Sequence, residues 1–133
     1  MTRPYWILDT GALLAYARGV DRVGEILADV SDLDGTVATS LVCVLEAYGG
    51  VTRTEHHLLR LLRGHPTVRT VVPSSDVHGS DECPTVGALG QITGRLGAGH
   101  TAYLALTHSA GVVTSRADQF RRLLSDDWSI VEV

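Results

Sequence analysis

The sequence predicts an α/β fold: a three-layer sandwich with a mostly parallel central sheet of four to five strands flanked by helices. Three observations predict it. Short apolar or β-branched runs alternate along the chain with stretches of helical periodicity. The first such run, "YWIL" at residues 5–8, is apolar without alternation, as in a strand covered on both faces. The 133 residues, 44% hydrophobic and 20% charged, suit one domain (1–133) whose core needs no disulfide.

The elements follow in order. "YWILD" is a strand that runs into "TGALLAYARG", a short helix with Leu13, Leu14 and Ala17 on its apolar side and Gly19 as its stop. A second helix starts near Asp21 and carries Val23, Ile26, Leu27 and Val30 at helical spacing. Thr36–Ala38 is a brief strand, and Ser40 opens the helix "LVCVLEAYGGV". Thr54 is the expected N-cap of the next helix and Gly64 its stop. "TVRTVVP" is a β-branched strand closed by Pro73, and "SSDVHGSDEC" a polar loop. Pro84 marks a helix start ahead of Gly87, Gly90 and Gly94. "HTAYLALTHSAG" is a helix that places His100 in its first turn; "VVTS" is a strand, "ADQFRRLLSD" a helix and "WSIVEV" a last strand.

Composition narrows the chemistry. The two cysteines, Cys43 and Cys83, form no CxxC pair, which argues against a zinc ribbon or a disulfide framework and for a reducing, cytoplasmic setting. No run is apolar enough to span a bilayer, so no membrane partner is expected. The net charge of −4 gives no global attraction for nucleic acid. All eleven basic residues are Arg and none is Lys, which removes lysine phosphate loops and Schiff-base chemistry.

Asp9 stands at the junction of the first strand and first helix. In parallel sheets ligands sit at the carboxyl ends of strands, where strand order switches. Asp9 is therefore either a helix cap or a site carboxylate. Glu46 follows five apolar or Cys residues in its helix; it lies either on an exposed stripe or, if buried, against a metal ion or an Arg. His100 opens a helix, and Asp118 is either an N-cap or a site acid. Asp81 and Glu82 suit the positive end of the helix that follows them. His56 and His57 share a polar helix face with Arg60 and Arg63.

"ILDTGALLAYARG", "SLVCVLEAYGG" and "GHTAYLALTHSAGVVTSRADQFRRL", in that order, resemble the PIN-domain family, which includes the ribonuclease toxins of the VapC type. The resemblance runs from Tyr5 to Val133. It implies a PIN-like fold and a divalent-metal-dependent endoribonuclease, with Mg²⁺ or Mn²⁺ held by carboxylates and RNA as substrate. Asp9 matches the family's first acid and Glu46 its second. Where the family has its third and fourth acids, this chain has His100 and Arg116. On this reading Asp9, Glu46 and Asp118 carry catalysis. Asp9, Glu46 and His100 hold metal, while Thr10, Ser40, Thr114 and Arg116 support the site or bind substrate. Arg116 either pairs with Asp9 or Glu46 in place of the cation or contacts the RNA phosphate. The resemblance further implies a small antitoxin protein as partner, and a homodimer. Two functions follow: a toxin endoribonuclease, or a catalytically degenerate PIN domain acting as a binding or regulatory module.

Overall fold

The computed structural model describes residues 3–133. Its centre is a five-stranded sheet of β1 (Trp6–Leu8), β2 (Val37–Ser40), β3 (Val68–Val71), β4 (Gly111–Thr114) and β5 (Ile130–Glu132). The order is β3-β2-β1-β4-β5, and every pair is parallel. Parallel pairs need crossovers; six helices supply those up to β4, and a 3-10 turn lies in the connection from β4 to β5. The helices are α1 (Thr10–Ala17), α2 (Asp21–Asp32), α3 (Leu41–Tyr48), α4 (Arg53–Arg63), α5 (Cys83–Thr93) and α6 (Leu96–His108).

The period-two alternation of the strands divides the core. Leu8, Val37, Val68 and Val113 face α1 to α4, where Leu13, Val23, Leu27, Val44, Leu59 and Leu62 bury against them. Ile7, Ala38 and Val112 face the other way, onto Ala98, Ala102 and Ala105 of α6 and onto Phe120. Helices thus cover both faces, which is why β1, at the centre of the sheet, reads as an unbroken apolar run.

Several expected boundaries move. Helix α6 starts at Leu96, four residues before His100, so His100 lies in its second turn rather than its first. The glycines that obscured this start are packing contacts: a Cβ on Gly99 would collide with the backbone of Gly90 in α5. The cap of α4 is Thr52, not Thr54, in a capping box with Glu55. The backbone residue preceding α2 is Val20, and Asp21 lies in its first turn.

The expected helix at 117–126 is only a 3-10 turn, Ala117–Gln119. Its Ala117 N–H is taken by the Glu132 carboxylate, and short bonds such as Phe120 N–H to Ala117 O wind it tightly. Trp128 Nε1 then donates to Ala110 O at 2.8 Å and anchors the return to β5. No helix among the described residues is long and apolar enough to cross a membrane.

Candidate functional site

Strand order reverses at β1, which lies between β2 and β4. The next residue after β1 is Asp9, at the switch point where open parallel sheets place their ligands. Asp9 is 1% exposed. Its Oδ1 accepts the Ala12 N–H at 3.0 Å and so caps α1. Its Oδ2 accepts the Thr114 hydroxyl at 2.6 Å. The cap and the site carboxylate are therefore the same side chain. Burial pushes the Asp9 carboxyl above its ordinary value, against the opposing pull of Thr114, Ala12 and Arg95.

Glu46 comes from α3 and reaches the same place. Its Oε1 accepts the Thr10 hydroxyl at 2.8 Å. The side chain is 31% exposed, so it lies at the rim rather than on a fully solvated stripe. Gly97 of α6 lies against it: a Cβ there would collide with Glu46 Oε1 and with Cys43 Sγ. Cys43 itself is core, its thiol pushed up to about 11 by burial.

The residue that joins the two acids is Arg95, at the junction of α5 and α6. Its Nη1 donates to Glu46 Oε1 and to Thr10 Oγ1, each at 3.0 Å. Its Nη2 donates to Gln119 Oε1 at 2.9 Å and lies 3.7 Å from Asp9 Oδ2. Sequence reasoning missed Arg95 and Gln119. The apolar setting of Glu46 pointed to a metal ion or an Arg as its partner; it did not say which Arg.

Four expected site residues lie elsewhere or act differently. Arg116 pairs with neither Asp9 nor Glu46; its guanidinium turns outward to Asp118, at 3.4 and 3.5 Å. That pair is exposed, and Asp118, held below the usual carboxylate range chiefly by Arg116, is not part of the acidic pair. Only the Arg116 backbone touches the centre, through its N–H to Thr114 Oγ1 at 2.9 Å.

His100 is fully buried, and its Nδ1 is 2.6 Å from Ser40 Oγ. Burial lowers its basicity, and Nε2 has no hydrogen-bond partner among the described residues. Ser40 also accepts the Val42 N–H and caps α3. His100 and Ser40 therefore brace α6 against the end of β2. Asp81 and Glu82 bond the backbone of Cys83 and Ser74, and so order the loop before α5.

A cavity of about 250 Å³ opens on the centre. Thr10, Glu46, Arg95, Ser115, Arg116 and Gln119 are among the residues that line it.

No family model and no curated protein matches the chain. Solved structures do. A chain of a toxin–antitoxin complex from Klebsiella pneumoniae aligns with a TM-score of 0.63 at 19% identity, over 96% of this chain and 98% of that one. A chain of VapBC2 from Rickettsia felis, solved bound to a DNA fragment from the promoter, aligns with a TM-score of 0.63 at 18% identity, over 96% and 97%. A chain of VapBC-1 from nontypeable Haemophilus influenzae aligns with a TM-score of 0.55 at 20% identity, over 96% of each. The fold is PIN-like.

A PIN-like fold raises the question of a divalent metal at Asp9 and Glu46. Such an ion takes about six oxygen ligands, of which one or two are carboxylates that face it directly and the rest waters or substrate phosphate. Among the described residues, no three His, Cys, Asp or Glu side chains are grouped so as to hold a metal ion. Asp9, Glu46 and His100 are accordingly not grouped as a ligand set, and His100 turns its Nδ1 to Ser40. Where α6 passes Glu46 it carries Gly97, which has no side chain to offer. The Arg95 guanidinium already lies between the two carboxylates. This donor set does not fit Mg²⁺ or Mn²⁺ as it stands.

Proposed function

We propose that this chain is the toxin-type half of a toxin–antitoxin pair, a PIN-fold module bound by a small antitoxin protein, and that its acidic centre is silent as folded. The observation that carries the reading is the near full-length likeness to chains of three toxin–antitoxin complexes, together with Arg95 between Asp9 and Glu46. Both Asp9 oxygens already accept a protein donor, and Glu46 Oε1 accepts two. In this arrangement the two carboxylates are tied to Arg95, Thr10, Thr114 and the first turn of α1 rather than to an ion. The cavity remains a place where a partner's side chain can enter. The two free cysteines accord with a reducing, cytoplasmic setting.

A second reading, a metal-dependent endoribonuclease acting on RNA, is favoured by Asp9. A carboxylate at 1% exposure is costly to bury, and many helices are capped as well by Ser or Thr. Retaining it suits a centre built for charge.

Co-expression with a small protein encoded beside this chain tests the pairing. The expected result is a complex that co-elutes in size-exclusion chromatography. Separate elution of two folded proteins contradicts it.

A further inference from the structure

We propose that the Arg95 guanidinium is the resident cation of the Asp9–Glu46 centre: the chain as folded takes up no divalent metal there, and removing Arg95 opens the centre to one. This rests on the reading of the centre as silent.

The position is built rather than incidental. Arg95 precedes α6 with extended backbone, φ −146° and ψ 145°. The residue before it, Gly94, ends α5 at φ +92°, a conformation that favours glycine. This turn points the Arg95 side chain back across the carboxyl end of the sheet. There it meets groups from three other parts of the chain: Asp9 and Thr10 at the start of α1, Glu46 on α3, and Gln119 in the 3-10 turn. A guanidinium presents several N–H donors in a fixed planar fork, which lets one side chain serve all of these at once. Thr10 completes the circuit by donating to Glu46 while accepting from Arg95.

The same place is closed to other side chains of α6. Gly97 lies against Glu46 and Cys43 with no room for even a methyl group. A cation at this centre must therefore come from the α5–α6 junction or from solvent. Arg116, the other Arg lining the cavity, pairs with exposed Asp118 and with neither Asp9 nor Glu46.

Charge supplies the rest. Without Arg95, a buried and a half-buried carboxylate would face one another with Thr10 and Thr114 as their hydroxyl partners. Burial and like charge both disfavour that state, and a hydrated divalent cation relieves it. Guanidinium and metal are thus alternative occupants of one position.

Titration with Mn²⁺ alone, followed by the loss of its free electron-paramagnetic signal, tests this on the full chain. The wild type is expected to show no saturable uptake. Arg95→Ala is expected to bind one Mn²⁺ at least about tenfold more tightly, with a melting temperature below that of the wild type and partly restored by the ion. Arg95→Lys keeps the positive charge but not the planar fork, so its Mn²⁺ uptake should fall between those of the wild type and Arg95→Ala. Adding Asp9→Asn to Arg95→Ala should abolish the uptake. The inference is overturned if the wild type binds Mn²⁺ saturably and Asp9→Asn removes that binding. It is equally overturned if folded Arg95→Ala binds no more tightly than the wild type. Should Arg95→Ala fail to fold, Arg95→Gln serves in its place, and the wild-type titration stands by itself. A wild type that cleaves RNA while taking up no metal would end the silent reading and leave this inference intact.

Discussion

Asp9 caps α1 and faces Arg95 with one carboxylate, and the two roles separate by substitution. Asp9→Ala removes the acceptor for the Ala12 N–H and for the Thr114 hydroxyl, and leaves Arg95 with Glu46 as its acid. It should lower unfolding stability in urea by about 0.5–2 kcal/mol, the range for losing a helix N-cap. Asp9→Asn keeps an acceptor for Ala12. It also removes an ionisable group whose folded pKa lies above its unfolded value near 3.8. Such an acid holds its proton more tightly when folded. Its contribution to stability is therefore greatest below about pH 3.8 and is lost as pH rises through the folded value. Asp9→Asn should flatten that fall and match or exceed the wild type at pH 7, read from urea midpoints across pH. A loss at pH 7 as large as that of Asp9→Ala would mean that the ionised carboxylate stabilises the fold.

At this scale the sequence was half legible. Asp9 and Glu46 stood out because each is a carboxylate in an apolar context. Arg95 did not, because a lone Arg between Gly94 and Gly97 has the look of a solvated turn. Arg116, better placed along the sequence, pairs instead with an acid two residues away.

Among the elements, the α5–α6 pair decides how the site closes. The two helices approach at Gly90 and Gly99, where a Cβ on Gly99 would strike the Gly90 backbone. Gly97 performs the same service toward α3. These glycines made the region look like a poor helix, since helix propensity counts each as a cost. Tertiary contact outweighs that cost, and α6 begins four residues earlier than its apolar pattern indicates. The contrast with Gly87 tests the account. Nothing lies within 4 Å of a Cβ on Gly87. Gly87→Ala should raise stability by about 0.5–1 kcal/mol, while Gly97→Ala should lower it by about 1–3 kcal/mol through overpacking against Glu46 and Cys43. Paired thermal melts would check both. Equal effects would mean that the close approach of α6 to α3 is not what the glycine provides.

For the molecule as a whole, alternating runs predicted a parallel sheet with helices on both faces, and five strands bear this out. Strand order was not readable, because each run looks alike wherever it sits in the sheet. The order matters because it sets the switch point beside Asp9. The likeness to toxin–antitoxin chains fixes the fold. At the centre, the Arg95 guanidinium lies between the two carboxylates that the resemblance assigns to a metal ion. A net charge of −4 adds no general attraction for RNA that would offset the closed centre. The most direct measurement is growth of bacterial cells on strong induction of the wild type, with Asp9→Asn induced alongside. The account predicts that both cultures grow alike, with intact cellular RNA. Growth arrest by the wild type that Asp9→Asn relieves would contradict it, and would show a working nuclease centre at Asp9.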